Sequence, residues 1–83
     1  MTPGVDIRGS AHGRYANYFM LGHNAFEFVL DFGQLYGDGE TADMHTRIIT
    51  GPVYAKALLR LLGDAIAQHE GLFGRIAEGD GPR

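Results

Sequence analysis

The sequence predicts an α+β domain: a three-stranded antiparallel meander followed by one C-terminal amphipathic helix packed on the sheet, in the order β-β-β-α. Three observations carry this. Residues 25–33, AFEFVLDFG, alternate apolar and polar with a period of two. Two breaks rich in Gly, Asn and Asp divide the first fifty residues into three extended runs. After Thr50-Gly51-Pro52 the apolar period becomes helical.

The first extended run is RYANYFMLG, Arg14 to Gly22. Tyr15, Asn17, Phe19 and Leu21 share one side of it, and Ala16, Tyr18 and Met20 share the other. A strand apolar on both faces is either covered on both or sits at an oligomer contact. Gly22-His23-Asn24 predicts a tight hairpin, because Asn and Gly tolerate positive φ. In the second run Phe26, Phe28, Leu30 and Phe32 form one face, and Glu27, Val29 and Asp31 the other. A one-residue slip would expose three phenylalanines, so this face specifies the register and is assigned to the core. The segment YGDGETAD, Tyr36 to Asp43, is acidic and glycine-rich and predicts a solvated loop. The third strand is predicted over Met44 to Thr50.

The helix is predicted from Pro52 to about Glu70. Proline suits the first helical position, where its missing N–H costs nothing. Thr50 or Gly51 precedes it as N-cap. Tyr54, Leu58, Leu61, Leu62, Ala65, Ile66 and His69 form the apolar stripe, with Lys56, Arg60, Asp64 and Gln68 opposite. Gly71 is the expected terminator. Leu72 to Ile76 would then fold under the sheet or reach a neighbouring subunit. The domain is expected over residues 14–76, with flexible segments at 1–13 and 77–83.

Size sets the next expectation. A chain of 83 residues buries only roughly 60–65% of its unfolded surface, so its hydrophobic margin is thin. Small domains compensate with disulfides, metals or a second subunit. There is no cysteine, which excludes disulfides and thiolate metal sites; association becomes the default, and a homodimer or small homo-oligomer is the expected partner. Tyr18, Met20 and Val29 lie on faces that one helix would leave wet, and they are the candidate self-association residues. The formal net charge of −3 lacks the concentrated basic patch of a nucleic-acid protein. No apolar run approaches the length of a membrane span, and residues 1–13 lack the apolar core of a signal peptide. A cytoplasmic protein is expected.

No catalytic constellation stands out, and the expectation is a non-enzymatic chain with no cofactor. Asp31-Phe32-Gly33 spells the kinase magnesium motif without the loops that motif requires. The four histidines, His12, His23, His45 and His69, do not converge on a zinc set, although His23 and His45 are candidates for a cross-strand pair. Asp38, Glu40 and Asp43 lack the closing glutamate of a calcium loop. Glu27, Asp31 and Arg47 would form a cross-strand ion network if the second and third strands pair. Arg47, the helix start at Gly51, and Lys56 form the candidate anion or acidic-partner site, since free N–H groups and the helix dipole favour negative charge there. Gly63, on the helix's outer side one turn from Ala67, would let another element approach closely.

The blocks YANYF (15–19), EFVLDFG (27–33), TRIIT-x-P (46–52), AK-x-L (55–58) and E-x-x-FG-x-I (70–76) occur in order across nearly the whole ordered region. In them the chain resembles a small bacterial domain family of unknown function. Relatives tend to have serine where Gly51 stands and tyrosine where His69 stands. The resemblance implies a strand-strand-strand-helix unit and no catalytic residue. The alternative to an interaction module is an anion- or nucleic-acid-binding accessory that uses the helix N-terminus with Arg47 and Lys56, and the resemblance implies a link to transcription for it, through relatives encoded beside RNA polymerase subunits.

Overall fold

A computed structural model describes residues 8, 9 and 12–78. Three strands, β1 (Tyr18–His23), β2 (Phe28–Leu35) and β3 (Ala42–Thr50), precede one helix, α1 (Pro52–Phe73). The strands pair antiparallel in chain order, with β2 central. The β-β-β-α order and the meander agree with the sequence expectation. The expected flexible ends, 1–13 and 77–83, fall largely outside the described residues.

β1 is shorter than the expected Arg14–Gly22 run because its beginning is handled by a side chain. Asn17 donates its backbone N–H to Gly33 O at 3.0 Å. Its Oδ1 accepts from Leu35 N at 2.7 Å, and its Nδ2 donates to Leu35 O at 3.4 Å. One amide side chain thus continues the ladder where the strand has stopped. At the other end, Gly22 and His23 belong to β1, not to the turn. The turn is Asn24–Glu27. Asn24 Oδ1 accepts from the N–H groups of Phe26 and Glu27 at 2.8 and 2.9 Å, and Asn24 N donates to Glu27 O. This Asx geometry takes both residues out of the sheet. Phe26, assigned by its alternation to the core face, is instead 81% exposed. Glu27 likewise leaves the expected ion network.

The second loop is closed the same way. Asp38 Oδ1 accepts from Glu40 N and Thr41 N, and Oδ2 accepts from Thr41 Oγ1. These donors hold the Asp38 carboxyl below the usual carboxylate range, the Glu40 N–H first among them. The solvated-loop reading holds for Tyr36–Thr41, and β3 starts two residues earlier than predicted. Near its middle β3 carries a bulge: Phe32 pairs with Thr46 but Gly33 pairs with Met44. Gly33 is the only buried residue among those described. A Cβ there would lie 2.5 Å from Met44 Sδ and 2.7 Å from Asp43 O, so the bulge admits only glycine.

Gly51 is the helix N-cap, extended at φ −84° and ψ 164°, without a side-chain cap, and Pro52 opens the helix. Gly71 does not end it. The helix runs on to Phe73 and is capped by Gly74, whose φ of +97° is open to glycine and whose N–H reaches Glu70 O. Glu70 Oε2 then accepts from Ile76 N at 2.9 Å. The Leu72–Ile76 segment therefore finishes and wraps its own helix end instead of folding under the sheet.

The larger correction concerns packing. The helix was expected on its own sheet, yet it has no buried residue. The substantial contacts between elements are those of β2 with β1 and β3. Among the described residues there is no buried hydrophobic side chain at all. The physical reason lies in the connection. Only Gly51 separates β3 from α1, and it is extended at φ −84° and ψ 164°, as a residue before proline prefers. A link of one residue is shorter than the usual strand-to-helix turn of about 2–6 residues.

Candidate functional site

The register sorts the sheet into two faces. Phe19 opposes Phe32, Leu21 opposes Leu30 and His23 opposes Phe28, while Leu30 also opposes Ile48. These residues make an aromatic face. Phe19 and Phe32 meet edge-on with centroids 5.8 Å apart, and His23 stacks on Phe28 at 5.5 Å. The face is nevertheless open to solvent: Leu21 is 72% exposed and Ile48 49%.

The other face carries charge at its centre. Asp31 and Arg47 are directly opposite in the register. Arg47 Nε donates to Asp31 Oδ1 at 2.7 Å and Nη2 to Oδ2 at 2.9 Å. This two-pronged pair holds Asp31 below the ordinary carboxylate range, chiefly by the Arg47 hydrogen bond, and raises Arg47 in turn. The expected cross-strand ion pair is therefore present with two of its three members. Met20 lies beside it, opposite Asp31, with Tyr18 opposite Gly33 and Val29 opposite Gly22 and Ile49. The structure thus brings Tyr18, Met20 and Val29 together on one face, as an apolar border around an ion pair.

The three residues of the candidate anion site are not gathered in the same way. Arg47 spends two of its three guanidinium nitrogens on Asp31 across the strand. Gly51 lies four residues further along, about 14 Å at strand rise, and Lys56 is exposed on the helix. Of the two depressions beside β3, one is lined by Arg47 and neither by Gly51 or Lys56.

His45 has a role that the sequence did not signal. Its Nε2 lies 2.9 Å from Tyr15 O and its Nδ1 2.6 Å from Thr46 Oγ1. Nε2 must donate to the carbonyl, so in the neutral ring Nδ1 accepts from the threonine hydroxyl. His45 straps the segment before β1 to β3. His23 stands on β1, beyond the central β2, so the pair expected between these histidines does not form. Two open depressions flank His45. One of about 550 Å³ is lined by Met20, Asp31, Met44, His45, Thr46 and Arg47. The other, of about 250 Å³, includes His12, Arg14 and Phe32. Among the described residues no three metal-ligating side chains converge, and no helix is long and apolar enough to cross a membrane.

The third surface is the helix stripe. Tyr54, Leu58, Leu61, Leu62 and Ile66 are all exposed, and His69 tilts against Phe73 at 4.9 Å. The helix has no acidic residue in its first turn and no basic residue in its last.

A family model, described as a protein of unknown function (DUF3467), matches residues 7–78. The chain belongs to this family. The match takes in all three strands and the helix, so the β-β-β-α unit is the DUF3467 domain itself. No curated protein and no solved structure matches the chain significantly.

Proposed function

We propose that this DUF3467 domain is a non-enzymatic protein-interaction module that completes its core by self-association. The observation that carries the reading is the missing core. Among the described residues no hydrophobic side chain is buried, and large apolar side chains stand open on both the sheet and the helix, Leu21 at 72% and Leu62 at 54% among them. Hydrophobic burial is the dominant favourable term in folding, and a chain without it does not offset its conformational entropy. The well-formed hydrogen-bonded turns and the clean register therefore need apolar cover from outside the chain.

The test is sedimentation equilibrium combined with thermal unfolding across a range of protein concentrations. A self-associating module sediments at a multiple of 9.0 kDa, and its midpoint rises with concentration. A monomer whose cooperative midpoint is independent of concentration would overturn the proposal.

A further inference from the structure

We infer that α1 of one chain lies across the aromatic face of a second copy, and reciprocally, so that two chains exchange helices in a two-fold dimer. This deepens the self-association reading and rests on it. Four observations converge.

The first is the connection. Helix–strand links in compact domains take about 2–6 residues, and here Gly51 alone intervenes, extended at φ −84° and ψ 164°. Pro52 holds it there. The helix makes no substantial contact with its own sheet, and among the described residues its stripe is left exposed.

The second is the match of dimensions. The stripe from Leu58 to His69 spans about 17 Å at helical rise. The aromatic face along β2, Phe28 to Phe32, spans about 14 Å. The helix is 22 residues long, about 33 Å, so one helix reaches across the whole face.

The third is the choice of face. The opposite face centres on the Asp31–Arg47 pair, and laying an apolar helix over it would strip water from both charges. The aromatic face presents Phe19, Leu21, Phe28, Leu30, Phe32 and Ile48, with no charged residue in register between them.

The fourth is stoichiometry. Each chain has one uncovered stripe and one uncovered aromatic face. A two-fold operation that places each stripe on the other chain's face covers both at once, as isologous contacts do. A helix-to-helix dimer would cover the stripes and leave six apolar side chains per sheet wet.

The experiment uses the full chain without substitution. Isotope-labelled and unlabelled protein are unfolded together, refolded and examined by isotope-filtered NOE spectroscopy, with the mass measured on the same sample. The expected result is a species of twice 9.0 kDa with interchain NOEs from the Leu58, Leu62 and Ile66 methyls to the Phe28 and Phe32 rings. A dimer whose interchain NOEs run only from helix to helix overturns the exchange and leaves self-association standing. So does a dimer in which the helix-to-sheet NOEs are intrachain. A folded monomer overturns both, and so does a monomer that stays unfolded until another protein is added.

Discussion

The sheet and the helix are built on opposite terms. The sheet is wired from within. Asn17, Asn24 and Asp38 each bind two or more backbone groups, Gly33 fits one bulge, and Asp31 and Arg47 lock two strands at one register position. The helix has almost none of this: no side-chain cap at its start, no charge matched to its dipole, and no buried residue. Local polar geometry thus specifies the sheet's shape, whereas only apolar cover stabilises the helix. The two halves therefore respond to different perturbations. The sheet is sensitive to changes of shape within one chain, and the helix to whatever weakens contact between chains.

The largest effect is expected in the stripe. Leu58→Ala removes a side chain that the helix-exchanged dimer buries twice, once at each reciprocal contact, at a cost of about 3 kcal/mol per site, equivalent to a dissociation constant raised on the order of ten-thousandfold. Val53→Ala, on the opposite side of the helix and 75% exposed, is expected to change stability by less than about 0.5 kcal/mol. Sedimentation of the two variants side by side checks the pair; equal and small effects would mean that the stripe is solvated. Next comes Gly33→Ala. The added Cβ meets Met44 Sδ and the Asp43 carbonyl oxygen at distances no Cβ adopts, so a loss of about 1–3 kcal/mol is expected in chemical denaturation. This loss belongs to the sheet and persists at every protein concentration at which the fold is populated.

The same division explains what was legible in the sequence. The alternation of Phe28, Leu30 and Phe32 fixed the central strand, and Gly51-Pro52 fixed the strand-to-helix boundary. Phe26 misled because it continues the alternation by one step, yet the Asn24 side chain withdraws its amide into a turn. That competition is between a pattern and a single hydrogen-bond acceptor, and the pattern does not record it. Gly71 and Gly74 are equally good terminators by composition; only the second has the positive φ that ends the helix. The stripe announced that something covers the helix, but an amphipathic pattern is the same whether the cover is the chain's own sheet or another chain's. The one-residue link and its proline were in view, and they carried the information that the stripe lacked. On the site side, the Asp31–Arg47 pair was legible from charge on strands, whereas the His45 strap depends on a backbone carbonyl of Tyr15, which no pattern of residue types reveals.

A smaller effect of opposite sign is expected at Gly63. It sits inside the helix, on the side away from the stripe, and a Cβ there meets nothing within 4 Å. Gly63→Ala should stabilise by about 0.5–1 kcal/mol, seen as a higher thermal midpoint at fixed concentration. A lower midpoint, or weaker association, would show that another chain approaches the helix backbone at Gly63 and that the aromatic face is not its main contact.

The smallest expected effect separates the two sheet faces by pH. The folded-state pKa of Asp31 is depressed, mainly by the Arg47 hydrogen bond. A depressed carboxyl adds stability above its unfolded value, about 3.9, and that stability drains away as pH falls through the lower folded value. Nothing from this pair changes between pH 8 and about 5. Carboxyl NMR titration of Asp31 and Asp38 provides both the signal and its control. In Arg47→Gln the Asp31 midpoint should climb back toward its unfolded value. The Asp38 midpoint should stay depressed, because its donors are Glu40, Thr41 and its own turn. Repeating the titration at higher protein concentration adds the decisive arm. If chains meet at the aromatic face, the Asp31 midpoint is independent of concentration while thermal stability rises. If they meet instead at the face of Tyr18, Met20 and Val29, Asp31 is stripped of water on association and its midpoint moves up. One carboxyl thus reports which face of the sheet another chain covers.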